Sequence, residues 1–290
     1  MLILENEFVQ AKIALRGGEL QSLRSRDGLE YIWQADPEFW PMHGPNLFPI
    51  VGPTGKQGVR IEGTVYQMSM HGFLMGMELE VSAADKCGCT LVLQSSPITH
   101  GWYPYDFVLQ LQYRLEGESL ELCYTIKNTD RRRLFYGLGG HPGFRVPLGD
   151  RSRFEDCLLQ FSAPEAITRV ELTSTGYASG AEALLYVDSD GRLPLRHDLF
   201  VRDAIVLKNT GRTVTLTDPG CGHGVRMFAP DFPYLGLWHN PGREAPFLCL
   251  EPWSTLPGKE ADIEELCDRS DIRMLEPGKE ESLCWRIQVF

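Results

Sequence analysis

No apolar run in the 290 residues approaches the roughly 18 needed to cross a bilayer, so a helical membrane anchor is not expected. The stretch Met1 to Glu7 lacks a basic start, and carboxylates interrupt it, so it does not read as a secretory signal. Positive charge is also scarce: 28 Lys and Arg stand against 39 Asp and Glu, a net charge of −11. Phosphate-binding surfaces need a basic face that releases counterions, so no nucleic-acid partner is expected. The one dense basic cluster, Arg131-Arg132-Arg133, reads as a solvated turn between two strands. Metal-clip spacing is missing too. The eight cysteines are scattered with no Cys-x-x-Cys, and Cys87-Gly88-Cys89 is too tight for a usual zinc clip. All eight, Cys123 and Cys284 among them, are expected as buried free thiols of a cytoplasmic protein.

Helical periodicity is rare. Ala261 to Cys267 predicts one or two turns led by acidic residues, and Asp36 to Trp40 a weak turn of helix with Pro37 near its start. What the sequence does have is alternation. Phe107, Leu109, Leu111 and Tyr113 fall on one face of a strand over 107–115, and a Gly-containing turn leads into a second alternating run over 120–127, which predicts a hairpin. Further strands are expected over 7–14, 90–95, 204–207, 213–217, 225–228 and 282–289. Closely spaced strands with Gly and Pro turns predict an all-β fold, a single large antiparallel β-sandwich. No repeat or linker divides the chain, so residues 1–290 are expected as one domain.

Familiar chemical motifs fail on spacing. Gly52-Pro53-Thr54-Gly55-Lys56 is too short for a phosphate loop and no helix follows it. Gly137-Leu138-Gly139-Gly140-His141-Pro142 breaks the dinucleotide fingerprint at Pro142. No Gly-x-Ser-x-Gly elbow is present. Two histidines in glycine-rich, otherwise apolar settings remain, His71 and His141, together with a carboxylate, Glu251, embedded in an apolar run. A charge buried in such a run needs a partner or a task. Trp238 and Trp253 could stack on the apolar face of a sugar ring or belong to the core.

Seven stretches in register carry a resemblance that spans nearly the whole chain. They are Gly17-Gly18-Glu19-Leu20-Gln21-Ser22-Leu23, Gly44-Pro45-Asn46-Leu47-Phe48-Pro49-Ile50-Val51-Gly52, His71-Gly72-Phe73, Tyr103-Pro104-Tyr105-Asp106-Phe107, Gly139-Gly140-His141-Pro142-Gly143-Phe144, Asp231 to Trp238, and Leu250-Glu251-Pro252-Trp253. The sequence resembles the aldose 1-epimerase (galactose mutarotase-like) superfamily, in its bacterial LacX-type branch. That resemblance implies a galactose-mutarotase-type supersandwich with an open sugar groove and no metal or organic cofactor. It makes Glu251 the general base and His141 the general acid, with His71 holding the sugar ring. Asp203 lies near the region that supplies a hydroxyl-binding aspartate. Asn46 and Trp238 fall in matching stretches and are expected at the sugar, as is Lys56.

Exchange of anomers needs a base at the C1 hydroxyl and an acid at the ring oxygen at once. A carboxylate and an imidazolium meet that need, and each is expected to favour the other's charged form. The resemblance also shows departures. Pro53 and Met75 stand where the branch carries arginines, which would fork onto hydroxyls or phosphate. A neutral sugar is therefore expected over a phosphorylated one, with Lys56 a partial substitute. The expected partner is a small-molecule sugar, with a homodimer as the oligomer this reading allows. Two alternatives stay open: a non-catalytic carbohydrate-binding or sensing protein on the same fold, and a different carbohydrate-active enzyme such as a lyase or hydrolase.

Overall fold

The computed structural model describes residues 1–55, 58–260 and 263–290. The predicted hairpin forms from Phe107–Glu116 and Ser119–Asn128, joined by a turn in which Gly117 takes φ 56°. Its burial alternates strictly on the first strand, so Phe107, Leu109, Leu111, Tyr113 and Leu115 all face inward. On the other side of Ser119–Asn128 lies Glu280–Val289, and these three strands centre a nine-stranded sheet. A second sheet runs Ala178–Leu184, Thr168–Leu172, Ile205–Lys208, Tyr234–Trp238, Phe247–Trp253, Gly139–Gly140 and Asn46–Leu47, with Gly143–Arg145 also paired to Phe247–Trp253. Every pairing between these strands is antiparallel.

One apolar core joins the two sheets. Leu109, Leu111 and Leu122 from the first belong to the same buried cluster as Leu207, Leu237, Leu248 and Leu250 from the second. Truncating one of these leucines to alanine would cost about 2 to 5 kcal/mol. The strand Phe247–Trp253 is buried at every residue, so both of its faces are covered. Its even positions Leu248 and Leu250 face the core. Its odd positions Phe247, Cys249, Glu251 and Trp253 point to the other face of the sheet, where the site forms.

Three local expectations are corrected. Within 261–267 only the short 3-10 turn beginning at Leu266 is present, and Ala261 and Asp262 lie outside the described residues. Asp36 to Trp40 is a turn, not a helix: the Asp36 carbonyl accepts from the Phe39 and Trp40 amides, and its side chain from Glu38. Asp favours such a turn because its carboxylate competes for nearby backbone amides. Cys123 and Cys284 are not free but form a disulfide. They sit directly opposite each other on adjacent antiparallel strands, with Cα atoms 4.1 Å apart, on the outer, half-exposed face of the large sheet. The other six are free: Cys89, Cys157 and Cys249 are buried, Cys87 and Cys221 half-buried, and Cys267 exposed.

The basic cluster behaves as expected of a solvated turn. Arg132 pairs with Asp130 and Glu62, and Arg133 with Glu276.

Candidate active site

Glu251 enters the site from the middle of Phe247–Trp253. Its Oε2 accepts a hydrogen bond from Trp253 Nε1 at 3.2 Å, two residues along the same face. His141 follows the short strand Gly139–Gly140, and its amide donates to the Pro45 carbonyl. That anchor puts His141 Nε2 3.2 Å from Glu251 Oε2. The imidazole stacks on Trp40 (centroids 5.0 Å, planes 29° apart) and meets Trp238 edge-on at 5.7 Å. Its Nδ1 is buried, with no hydrogen-bond partner among the described residues.

His71 stands edge-on to His141 at 5.5 Å. The Gly52 amide donates to His71 Nδ1 at 3.0 Å, which fixes the neutral tautomer with its proton on Nε2. The glycines beside the two histidines serve packing. A Cβ on Gly72, whose φ is 78°, would lie 2.1 Å from the Phe48 carbonyl oxygen. One on Gly143 would lie 2.9 Å from the Trp40 ring. The space beside each is filled by the protein's own backbone and indole.

Burial governs the charges. It raises the Glu251 carboxyl well above its usual range, and Asp203 adds to that. It lowers His141 well below the usual imidazole value, with His71 contributing. His71 falls to about 4 for the same reason. The sequence expectation of a mutually stabilised ion pair is thereby corrected. In the unliganded site desolvation exceeds the attraction, and both groups are driven toward their neutral forms. The pair holds one proton between them.

An open cavity of about 890 Å³ lies in front of this pair. Trp238 and Asp203 line it and are joined by a 2.9 Å hydrogen bond from Trp238 Nε1 to Asp203 Oδ1. Asp203 holds φ 87°, a left-handed conformation that Asp tolerates better than most side chains. His71, His141, Asp203, Trp238 and Glu251 are thus brought together. Asn46 is not. It is 1% exposed inside the core, where its amide donates to the Gly17 and Gly18 carbonyls and its oxygen accepts from Tyr124. Lys56 lies outside the described residues. Trp40 and Arg202 also line the cavity and were not singled out by sequence; Trp40 arrives from a turn with no periodic signal. Pro53 and Met75 line it as well.

The fold is that of the galactose mutarotase-like proteins, and the chain belongs to the aldose 1-epimerase family, whose model matches residues 1–262. Among curated relatives, the chromosomal and plasmid LacX proteins of Lactococcus lactis subsp. lactis are each 32% identical over 266 residues, 87% of either chain. A galactose mutarotase-like protein from Lactobacillus casei superposes with a TM-score of 0.95 at 30% identity, covering 100% of both chains. A galactose mutarotase related enzyme from Lactobacillus acidophilus gives 0.94 at 27% identity, covering 100% of this chain and 97% of that one. Among the described residues no helix is long and apolar enough to cross a membrane.

Proposed function

We propose that this chain is a cytoplasmic, single-domain mutarotase that interconverts the anomers of an uncharged reducing sugar. The observation that carries the reading is the 3.2 Å contact between His141 and Glu251 at the floor of an open cavity. Glu251, as carboxylate, takes the proton of the C1 hydroxyl while His141 gives one to the ring oxygen. The bond between C1 and the ring oxygen breaks, an aldehyde forms, and C1 turns about the bond to C2. Closure on the other carbonyl face runs the two transfers backward, so the pair ends with the single proton it began with. Sugar hydroxyls that donate to Glu251 replace the water it has lost and favour its charged form at the moment it is needed. His71 Nε2–H and the Asp203 carboxylate are placed to hold hydroxyls, and the indole of Trp238 to cover an apolar ring face.

The composition of the wall supports an uncharged substrate. Among the described lining residues Arg202 is the one Lys or Arg, set against Asp203 and Glu251. The reading is tested by following fresh α-glucose and α-galactose to equilibrium by polarimetry with wild type, His141→Asn and Glu251→Gln. Loss of rate in both folded variants supports it; wild-type rates in both reject it. A second reading, sugar binding without turnover, is favoured by the apolar Pro53 and Met75 in the wall. Calorimetric sugar binding without any mutarotation above background would select it.

A further inference from the structure

One buried group beside the acid–base pair has no part in anomer exchange. Cys249 lies two residues before Glu251 on Phe247–Trp253, so its side chain projects to the same face of the sheet. It is fully buried, in a cluster with Trp33, Ala245 and Phe247. Its Sγ, a ring nitrogen of His141 and a carboxylate oxygen of Glu251 all lie within 4.8 Å of one another. A thiol, an imidazole and a carboxylate this close together are the donor set that a borderline-soft divalent cation takes. A second observation points the same way. His141 Nε2 and Glu251 Oε2 already face each other at 3.2 Å, close to the spacing of two ligands on one tetrahedral cation.

We propose that His141, Cys249 and Glu251 form a three-ligand site for Zn²⁺ or a cation of similar softness. Zinc bonds of about 2.0 to 2.3 Å at tetrahedral angles hold ligand atoms roughly 3.3 to 3.8 Å apart. The set therefore draws in by about 1 Å at its widest when the cation enters. His141 and Glu251 border the cavity, which supplies the path inward and leaves the fourth position open to water or a hydroxyl. Entry of the cation releases two protons to solvent, the one carried by the His141–Glu251 pair and that of the Cys249 thiol, which binds as thiolate. On the mutarotase reading, which this consequence alone requires, zinc is then an inhibitor that competes with catalysis instead of a cofactor.

The test uses the full chain freed of metal by a chelator and dialysis, its disulfide intact. Co²⁺ is added to wild type, Cys249→Ser and Cys249→Ala, and the near-ultraviolet thiolate-to-cobalt band is recorded. Zn²⁺ competition then gives the affinity. One equivalent of cobalt with a thiolate band is expected in wild type, with no band and at least tenfold weaker zinc binding in both Cys249 variants. A band that persists in the variants would place the metal on Cys87, Cys89, Cys157, Cys221 or Cys267 and overturn the assignment, as would no binding by wild type. If wild type shows mutarotation, Zn²⁺ should abolish it reversibly, and Cys249→Ser should keep the rate while losing the zinc sensitivity. Zinc inhibition that is equal in wild type and Cys249→Ser rejects the site. Absence of mutarotation would reject the catalytic reading and leave the binding measurements to decide the metal site.

Discussion

His141 and Glu251 meet nitrogen to oxygen at 3.2 Å, and Trp253 donates to the same carboxylate oxygen at the same distance. One oxygen of Glu251 is thus held from two sides within the protein. Replacing either member of the pair should lower mutarotation by about 10² to 10⁴. Polarimetry on His141→Asn and Glu251→Gln checks this, with circular dichroism to confirm that both are folded. The double variant should lose little beyond the worse single one, because the two act as a unit.

The pH profile follows from the shared proton. Activity needs one proton on the pair. A second is added only below the lowered His141 value, and the last is lost only above the raised Glu251 value. The two titrations belong to the pair as macroscopic steps. kcat/KM should therefore be bell-shaped, falling on the acid side as the pair takes a second proton and on the alkaline side as it loses its last. A profile with no fall on either side would contradict the paired acid and base.

Asn46 gives a prediction of the opposite kind. Asn46→Ala takes the side-chain donor from the Gly17 carbonyl inside the core, while the Gly18 carbonyl keeps Tyr113 and the Tyr124 hydroxyl keeps Gly139 and Trp285. Each buried polar group left unpaired costs about 1 to 3 kcal/mol. Denaturant unfolding should register that loss while kcat/KM of the folded variant stays near wild type. A catalytic defect with full stability would return Asn46 to the sugar.

Sugar phosphates should be poor substrates, at least tenfold below the free hexose in kcat/KM. One arginine or phosphate contact at such a site is worth about 1.5 to 3 kcal/mol. Met75→Arg places that group in the cavity wall and should raise kcat/KM for a hexose 6-phosphate above wild type. No gain in a folded variant would argue against Met75 facing substrate.

Stability should fall on the acid side of neutrality. Burial holds His71 and His239 at about 4, against an unperturbed 6.5. The unfolded chain takes up protons below 6.5 that the folded one refuses until near 4. Stability present above pH 6.5 is lost as pH falls through that window, by up to about 3 kcal/mol per histidine. Calorimetric Tm values at pH 7, 5 and 4 should show the decline, and His239→Gln should make it shallower.

The parts of this architecture that read directly from sequence are those where one face is wet and one dry. Phe107–Glu116 alternates because its neighbours are core on one side and water on the other. Ala178–Leu184 is exposed over nearly its whole length, so it carries no period and was not predicted. Glu251, His141, His71, Asp203 and Trp238 were legible through the family resemblance, and the cavity brings all five together. The same stretches also contain Asn46, whose task is to join the Gly17–Gly18 turn to the core; a motif marks a position and not its reason. Their charges were misjudged, because residue types do not reveal how much water the fold removes. The Cys123–Cys284 pairing depends on the register of two strands 161 residues apart, which local pattern does not encode.

Trp40, Trp238 and Trp253 all border the cavity, and Trp40 lies flat against His141. An imidazolium is a far better quencher of indole emission than a neutral imidazole. The candidate site therefore contains its own optical probe. Steady-state emission should brighten or dim as His141 gains or loses a proton, and shift in wavelength as a sugar displaces water from the indole faces. Binding, protonation and metal entry can each be followed in the unlabelled protein, in real time and before any turnover is measured.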